Sequence, residues 1–428
     1  MRKKINLVFD VSILHAGLDK QAGRSGIYFT GFNILRQFIQ SKDLKISFYC
    51  RQDWIKKLKK GLKNELSEFK NYKIINKNLK KYTEKSDYYK LRKKEAKKAK
   101  KKLKKAFFHV MYAYWKFRLR CHQYKLSKID VFFSPVWAIP EEIKNIENIK
   151  KYTLLYDCIP VLFKEYYPQM QAGNYWFINF LNSLNSKDYY FSDSQCTKND
   201  FLKICPQIQE SQILVTPLAA AETFYPQPEL TSDVFNRYGL QGIDKYVFSL
   251  CTLEPRKNLV RAVKTFIQFI KKNNIENMSF ILGGGHWSSF LEVLKQEIED
   301  LDLYQNKIIR AGYIDDEDLA PLYSGAEWFV YTSQYEGFGL PPLEAMACGC
   351  PVITSNSSSL PEVVGDAGIM IDWDSDEQHI QAYEKYYFDK EFRNSMAEKG
   401  IERASQFSWT KCADIMINKI KRDCENDR

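Results

Sequence analysis

Two glutamates, Glu336 and Glu344, flank a tight turn in SQYEGFGLPPLEAMACGCPV (333–352), with seven residues between them that include Gly337, Phe338, Gly339, Leu340 and the pair Pro341–Pro342. Proline suits the first turn of a helix, where its missing N–H costs nothing. A helix starting at LPP leaves free backbone N–H groups and the positive end of its dipole pointing back into the turn, which makes an anion site. Gly337 and Gly339 let the backbone come close to a ligand. On this reading Glu344 falls in the first helical turn, either as a carboxylate favoured there by the dipole or as an acceptor for two hydroxyls of a ribose. Glu336 is either a solvated turn residue or a group facing a cleft. A second charged pair, Arg256–Lys257 in LEPRKN, also follows a strand-like run and precedes a helix-like one. Alone it is an ordinary basic loop; beside an anion site it is a source of fixed positive charge.

These groups need elements to hold them. EWFVYTS reads as a strand, QYEGFG as the turn at its carboxyl end, and LPPLEAMACG as the next helix. The same alternation runs through the chain. In the first part KINLVFDVSI, KISFYC, VFFSP, KYTLLYDCIP, YYFSDS and SQILVTPLA are short apolar strands; in the second, KYVFSLCTL, MSFILGGG, KIIRAGYI, EWFVYTS, PVITSN and AGIMID take that role. Nearly continuous apolar runs are what strands covered on both faces require. The fold class is therefore α/β, with two Rossmann-like domains facing a cleft. The first occupies 1–224, the second 230–410, and YPQPELTSDV (225–234) is the hinge. The tail FSWTKCADIMINKIKRD forms a final helix, 411–428. Ligands of open α/β sheets bind at the carboxyl ends of the strands, which is where both charged motifs fall.

A chain of 428 residues is long enough for two cores, and a composition with 45% hydrophobic and 27% charged residues is that of a globular protein. Its apolar runs are too short for a membrane-spanning helix. The ten cysteines include no CxxC pair and, apart from Cys121 beside His122, lie far from the histidines, so neither a disulfide framework nor a metal site is expected. The Cys348–Gly349–Cys350 run is a packing feature. We read the start, KINLVFDVSIL, as a first strand rather than a leader, and the protein as cytoplasmic.

The net charge of +12 is uneven: residues 42–128 hold 30 Lys/Arg and 7 Asp/Glu, a net of +23, which leaves −11 for the rest. Within this segment KLRKKEAKKAKKKLKK (90–105) has 11 basic residues in 16, and Leu91, Ala96, Ala99, Leu103 and Ala106 mark a thin apolar stripe at helical spacing. FFHVMYAYWKF (107–117) follows directly. Lysine stems beside aromatic rings suit a membrane–water interface, where anionic lipid attracts each Lys/Arg by roughly 1 kcal/mol. Contact of residues 56–117 with an anionic membrane surface is the expectation. A solvated helix face and a nucleic-acid patch are the competing readings; no nucleic-acid module surrounds the segment, so no nucleic-acid partner is expected.

SQYEGFGLPPLEAMACGCPVITSNSSSLPEVVGDAG resembles the donor-binding signature of retaining GT-B glycosyltransferases of family 4. The likeness extends through LEPRKNLVRAV, FILGGG and IIRAGYIDDEDLAPLYSGAEWFVYTS to cover nearly all of 246–370. The N-terminal half matches more loosely, through GRSGIYFTGFNIL, LLYDCIPVLFKEYY and YYFSDSQCTKNDF. Residues 50–128 match nothing in the family and form a Lys-rich helical insertion. The resemblance implies that Glu344 binds the ribose of a nucleotide sugar. It implies that Glu336 lies beside the transferred sugar and stabilises positive charge at its anomeric carbon. The amides of Gly337, Phe338, Gly339 and Leu340 would hold sugar and diphosphate, Arg256 and Lys257 would neutralise the diphosphate, and the backbone near Tyr313–Ile314 would meet the base. In GRSGIY (23–28), glycines including Gly26 would bring the first domain's loop to the phosphates across the cleft.

Two positions depart from the family pattern. Tyr156 stands before Asp157 where His is common, and a tyrosine with a pKa of about 10 is a poor base at neutral pH. Asp157 is kept as a catalytic candidate whose role the resemblance does not define. Cys251 replaces a common glycine and would narrow the pocket. In DWDSD (372–376) an Asp-x-Asp pattern is open to a metal, but helix capping is the better reading ahead of a helix near Glu377, so metal-independent catalysis without a cofactor is expected. His286 and Trp287 are candidates for touching donor or acceptor.

The expected function is transfer of a hexose, with retention, from a nucleotide diphosphate sugar to a hydroxyl of a glycan or lipid-linked acceptor in bacterial surface polysaccharide synthesis, with GDP-mannose as the first donor to consider. A transferase for a soluble metabolite, a nucleotide-sugar epimerase and a non-catalytic nucleic-acid or membrane-binding scaffold are the alternatives.

Overall fold

The computed structural model describes residues 4–18, 26–63, 66–76, 79–98, 102–126, 128–167, 175–252, 254–285, 296 and 305–426. His286, Trp287 and Gly23–Ser25 of the GRSGIY motif lie outside them.

Each of the twelve apolar runs is a strand. The first sheet holds β1 (Ile5–Asp10), β2 (Leu44–Tyr49), β3 (Val131–Ser134), β4 (Lys150–Leu155), β5 (Tyr189–Ser192) and β6 (Ile213–Val215), in the order β2-β1-β3-β4-β5-β6. The second holds β7 (Lys245–Leu250), β8 (Met278–Gly283), β9 (Ile308–Gly312), β10 (Trp328–Tyr331), β11 (Val352–Ser355) and β12 (Gly368–Ile371), in the order β12-β11-β10-β7-β8-β9. Every pairing between these strands is parallel, in a register such as Phe9↔Phe133 or Phe329↔Val352. β3, β10 and β11 are buried along their whole length, as helices on both sheet faces demand.

Aromatic residues fill much of both cores. Phe9 stacks on Phe133 at 5.1 Å and Tyr152 on Phe191 at 5.5 Å in the first domain. Phe269 meets Trp328 edge-on at 6.3 Å, and Tyr383 at 5.7 Å, in the second. The chain's last helix, Trp409–Glu425, returns to the first domain. There Tyr152 donates to Asp423 Oδ2 at 2.6 Å and Lys421 pairs with Asp43 at 2.6 Å.

The basic insertion folds as two long helices, Leu79–Lys98 and Lys102–Leu126, packed side by side. The single apolar stripe expected across 91–106 is therefore cut between two helices: Ala96 is buried whereas Leu91 and Leu103 are exposed. Among the described residues no helix is long and apolar enough to cross a membrane.

Candidate active site

The chemistry-bearing residues sit just past the carboxyl ends of central strands: Asp157 after β4, Asp193 after β5, Arg256 and Lys257 after β7, and Glu336 after β10. The two sheets turn these ends toward each other, and between them lies a cavity of about 550 Å³. Gly26, Asp157, Arg256, Lys257, Glu336, Gly337, Phe338, Gly339, Leu340 and Glu344 all line it. Tyr313 lines an adjoining cavity of about 830 Å³, and the side chain of Ile314 is buried in the core. Cys251 does not line the pocket that it was expected to narrow; its neighbours Leu250 and Thr252 do.

The centre is a buried ionic cluster. Glu336 Oε1 accepts from Lys257 Nζ at 2.7 Å and from Arg256 Nη1 at 3.0 Å. Lys257 also donates to the Tyr331 hydroxyl at 2.7 Å, and Arg256 to Glu254 at 3.2 Å and to the Tyr335 carbonyl. Burial by itself favours a neutral Glu336, but the Lys257 and Arg256 cations outweigh it and hold the carboxyl below its ordinary range. Burial likewise opposes the charge on Lys257 and Arg256, and the Glu336 carboxylate keeps both above their ordinary values. Two fixed cations and one fixed anion thus face one cavity. Among the described residues Arg256 Nε has no hydrogen-bond partner.

Short hydroxyl side chains set the shape of the Glu-Gly-Phe-Gly turn. Ser359 Oγ donates to the carbonyls of Glu336 (3.0 Å) and Phe338 (2.7 Å), and the Glu336 amide donates to Ser358 Oγ at 2.8 Å. Gly339, at φ 120°, is the N-cap of the helix Leu340–Ala347, whose first turn carries the two prolines. This helix start and that of Gly26–Gln40 in the first domain converge on the cavity; a Cβ on Gly26 would stand 3.3 Å from Leu340 Cδ1. Two helix N-termini aimed at one space make it a site for an anion.

Glu344 corrects the sequence reading. It is the fifth residue of its helix, whose first turn holds no acid, so the dipole does not account for it. Burial pushes its carboxyl up to about 7, against a hydrogen bond from the Tyr323 hydroxyl at 3.4 Å. In DWDSD the helix is Asp376–Phe388 with Ser375 as its cap, and Asp374 and Asp376 are engaged by Arg261.

How the domains are joined was not among the expectations above. Ser194 Oγ and Thr197 Oγ1, at the start of the first-domain helix Gln195–Ile204, donate to the Gly337 carbonyl at 2.6 and 3.2 Å. In return, Glu362 of the second domain accepts the backbone N–H groups of Gln195 and Cys196 at 2.7 and 2.8 Å. The Tyr335 hydroxyl reaches Asp200, and a Cβ on Gly337 would overlap the Tyr156 carbonyl. Burial raises Asp157, and raises Asp193 well above the carboxylate range. Glu362 and Ser357–Ser359 belong to the SNSSSLPE run of the quoted motif, where three adjacent hydroxyls beside a glycine turn were a signal for backbone capping that went unassigned.

Two parallel-sheet domains with an anion-binding cluster at their facing strand ends define a GT-B glycosyltransferase. Solved structures agree on the fold. HepE of Anabaena, crystallised with UDP and glucose, superposes with a TM-score of 0.64 at 14% identity, covering 98% of this chain and 100% of its own. WaaG, a glycosyltransferase involved in lipopolysaccharide biosynthesis, superposes at 0.61 and 12% identity, covering 97% and 99%. The family described as "Glycosyl transferases group 1" matches residues 232–403. The O-antigen chain mannosyltransferase B of Escherichia coli is 33% identical over 296 residues, 68% of this chain and 74% of that protein. The chain belongs to the group 1 glycosyl transferases.

Proposed function

We propose that this protein transfers a hexose from a nucleotide diphosphate sugar to a hydroxyl of a glycan or lipid-linked acceptor, with retention, in the synthesis of a bacterial surface polysaccharide. The observation that carries the reading is the pairing of Glu336 with Arg256 and Lys257 in a cavity onto which two helix N-termini open. Breaking the bond from the anomeric carbon to phosphate leaves positive charge on the sugar and negative charge on the diphosphate. Glu336 would stabilise the first, and the two cations and the turn amides the second. Such preorganised groups act where little water competes, and one donor contributes roughly 3 kcal/mol. The acceptor oxygen bonds to the anomeric carbon on the face the phosphate leaves, and the departing phosphate oxygen takes the acceptor's proton. No protein base is then needed, which accommodates Tyr156 where a histidine is common. Glu344 would accept the ribose hydroxyls, and the backbone at Tyr313–Ile314 would meet the base. Because Arg256 and Lys257 supply the positive charge, transfer would need no divalent cation.

The similarity to an O-antigen mannosyltransferase makes mannose the first sugar to test, carried on guanosine diphosphate. Thermal-shift screening against nucleotide sugars, followed by transfer and NMR of the product's anomeric proton, tests the reading. An inverted product, or a protein stabilised by no nucleotide sugar, would overturn it.

The same reading places the enzyme on the cytoplasmic face of an anionic membrane. Leu103, Phe107, Val110, Tyr114 and Phe117, spaced four and three residues apart on the helix Lys102–Leu126, are all exposed. The two insertion helices and the residues between them carry 18 Lys/Arg against 3 Asp/Glu over 79–126. An apolar stripe rimmed by lysines is the pattern of an interfacial helix. Co-sedimentation with vesicles containing anionic lipid, abolished by salt and by replacing Phe107 and Phe117 with serine, is the expected result. Equal binding to neutral vesicles would refute it.

A further inference from the structure

A second cavity, of about 250 Å³, opens off the first, and Ile27, Tyr156, Asp157 and Arg256 line both. Its far wall is aromatic: Tyr167, Tyr175, Trp176, Phe177, Phe180 and Phe201, all from the first domain. Part of this wall belongs to an ordinary core, since Phe177, Phe180 and Phe201 pack with Leu155 and Tyr190 and are buried. Trp176 does not fit that account. It begins the helix Trp176–Ser183, is 46% exposed, and meets Trp137 edge-on at 5.5 Å. A half-exposed indole at the mouth of a pocket presents a flat apolar surface to whatever enters.

The pocket has two unlike ends: aromatic rings at one, the Asp157 carboxyl and the Arg256 guanidinium at the other. Its polar end is shared with the cavity that holds Glu336. A ligand matching this must carry an apolar face and a polar edge on one small rigid body. A pyranose does, with C–H groups across one face and hydroxyls around the rim. Arg256 is already paired with Glu336 and Glu254, but a purely hydrocarbon chain would cover the Asp157 carboxyl, whose hydrogen bond is from the Ile159 amide, and offer it nothing further, at a cost. The volume lies below the ~300–1,000 Å³ of pockets for drug-sized ligands, enough for one ring rather than a run of them.

We propose that this pocket holds the terminal pyranose of the acceptor, stacked on Trp176, with the hydroxyl to be glycosylated presented past Asp157 to the donor sugar. Asp157 accepts a hydrogen bond from that hydroxyl, and so aims it. In transfer, the acceptor oxygen bonds to the anomeric carbon as the bond to phosphate breaks, and its proton leaves with the phosphate. The proposal rests on the glycosyltransferase reading above.

The test is saturation-transfer NMR on the full chain with saturating GDP or UDP, using methyl glycosides of the common hexoses, N-acetylhexosamines and 6-deoxyhexoses, with farnesyl phosphate as a separate probe. At least one glycoside should bind. Trp176→Ala should weaken it at least tenfold, Trp176→Phe should keep most of it, and nucleotide affinity should not move. Binding of no glycoside, glycoside binding indifferent to Trp176→Ala, or binding of farnesyl phosphate alone that depends on Trp176 would each overturn the proposal. Nucleotide failing to bind the unaltered protein would instead strike at the donor reading, so the two failures are distinguishable.

Discussion

Replacing Lys257 with methionine removes one of the two cations on Glu336 while nearly preserving side-chain length. Glu336 keeps Arg256 at 3.0 Å but loses its 2.7 Å partner. Stripping one member from a buried ion pair costs about 3–5 kcal/mol, and the remaining Arg256 places this case at the low end, about 3 kcal/mol. For a domain of this size each kcal/mol moves Tm by about 2–4 °C, so Lys257→Met should melt roughly 6–12 °C lower. Its kcat should also fall by about 10²–10³, the usual loss for one group that stabilises developing charge. Stability and catalysis separate in the double variant Lys257→Met/Glu336→Gln. There the carboxylate left with only one of its two cations is gone, so its stability should exceed the additive expectation by about 1–3 kcal/mol, while transfer stays at least as impaired. Differential scanning calorimetry and a radiolabelled-donor assay read the two outcomes. Additive stability losses together with near-normal turnover in either single variant would refute the reasoning.

Glu344 has a folded pKa of about 7, raised from 4.5 by burial, so its contribution to stability is full below about pH 4.5 and is lost as the pH rises through 7. Glu344→Gln should therefore raise Tm more at pH 8 than at pH 5, measured by thermal denaturation across that range. Only the ionised carboxylate accepts from both ribose hydroxyls, so donor affinity should strengthen about tenfold from pH 6 to pH 8, and titration calorimetry should find this dependence absent in the variant. Gly337→Ala places a methyl against the Tyr156 carbonyl, a backbone atom of the other domain that cannot rotate away. Each domain should stay folded by circular dichroism while transfer drops by about 10²-fold, the scale of an ångström-level misplacement. Glu362→Ala removes the acceptor for the Gln195 and Cys196 amides, a cap worth about 1–2 kcal/mol. Small-angle scattering should show a larger radius of gyration without nucleotide, restored when nucleotide binds.

The twelve strands were legible because each is an apolar run held between two helical layers, and that local pattern is all a buried parallel strand requires. Glu336, Arg256 and Lys257 were legible for a related reason: strand ends and helix starts can be located in the sequence, and the groups between them must face the same edge. What escaped depends on partners distant along the chain. Nothing near Ser194 or Thr197 announces that their hydroxyls hold the carbonyl of Gly337, more than a hundred residues away. Glu362 looks like an ordinary acid in a helix's first turn, yet its partners are amides of the other domain. Glu344 was placed in the first turn although the helix was read as starting at LPP; counted from Leu340 it is the fifth residue and falls one turn later. The lysine-rich segment was read as one stripe because spacing alone does not say where a chain doubles back.

Tyr152, in a middle strand of the first sheet, hydrogen-bonds Asp423 of the helix Trp409–Glu425, and Asp43 pairs with Lys421 of the same helix. The layer that finishes the first domain is thus made only after the whole second domain has been synthesised. At about 5–20 residues per second, synthesis of the intervening domain keeps the nascent first half without that layer for roughly 10–40 s. A message cut short after the hinge would yield a domain with one face bare, so the order of translation itself ties completion of the early half to arrival of the late one.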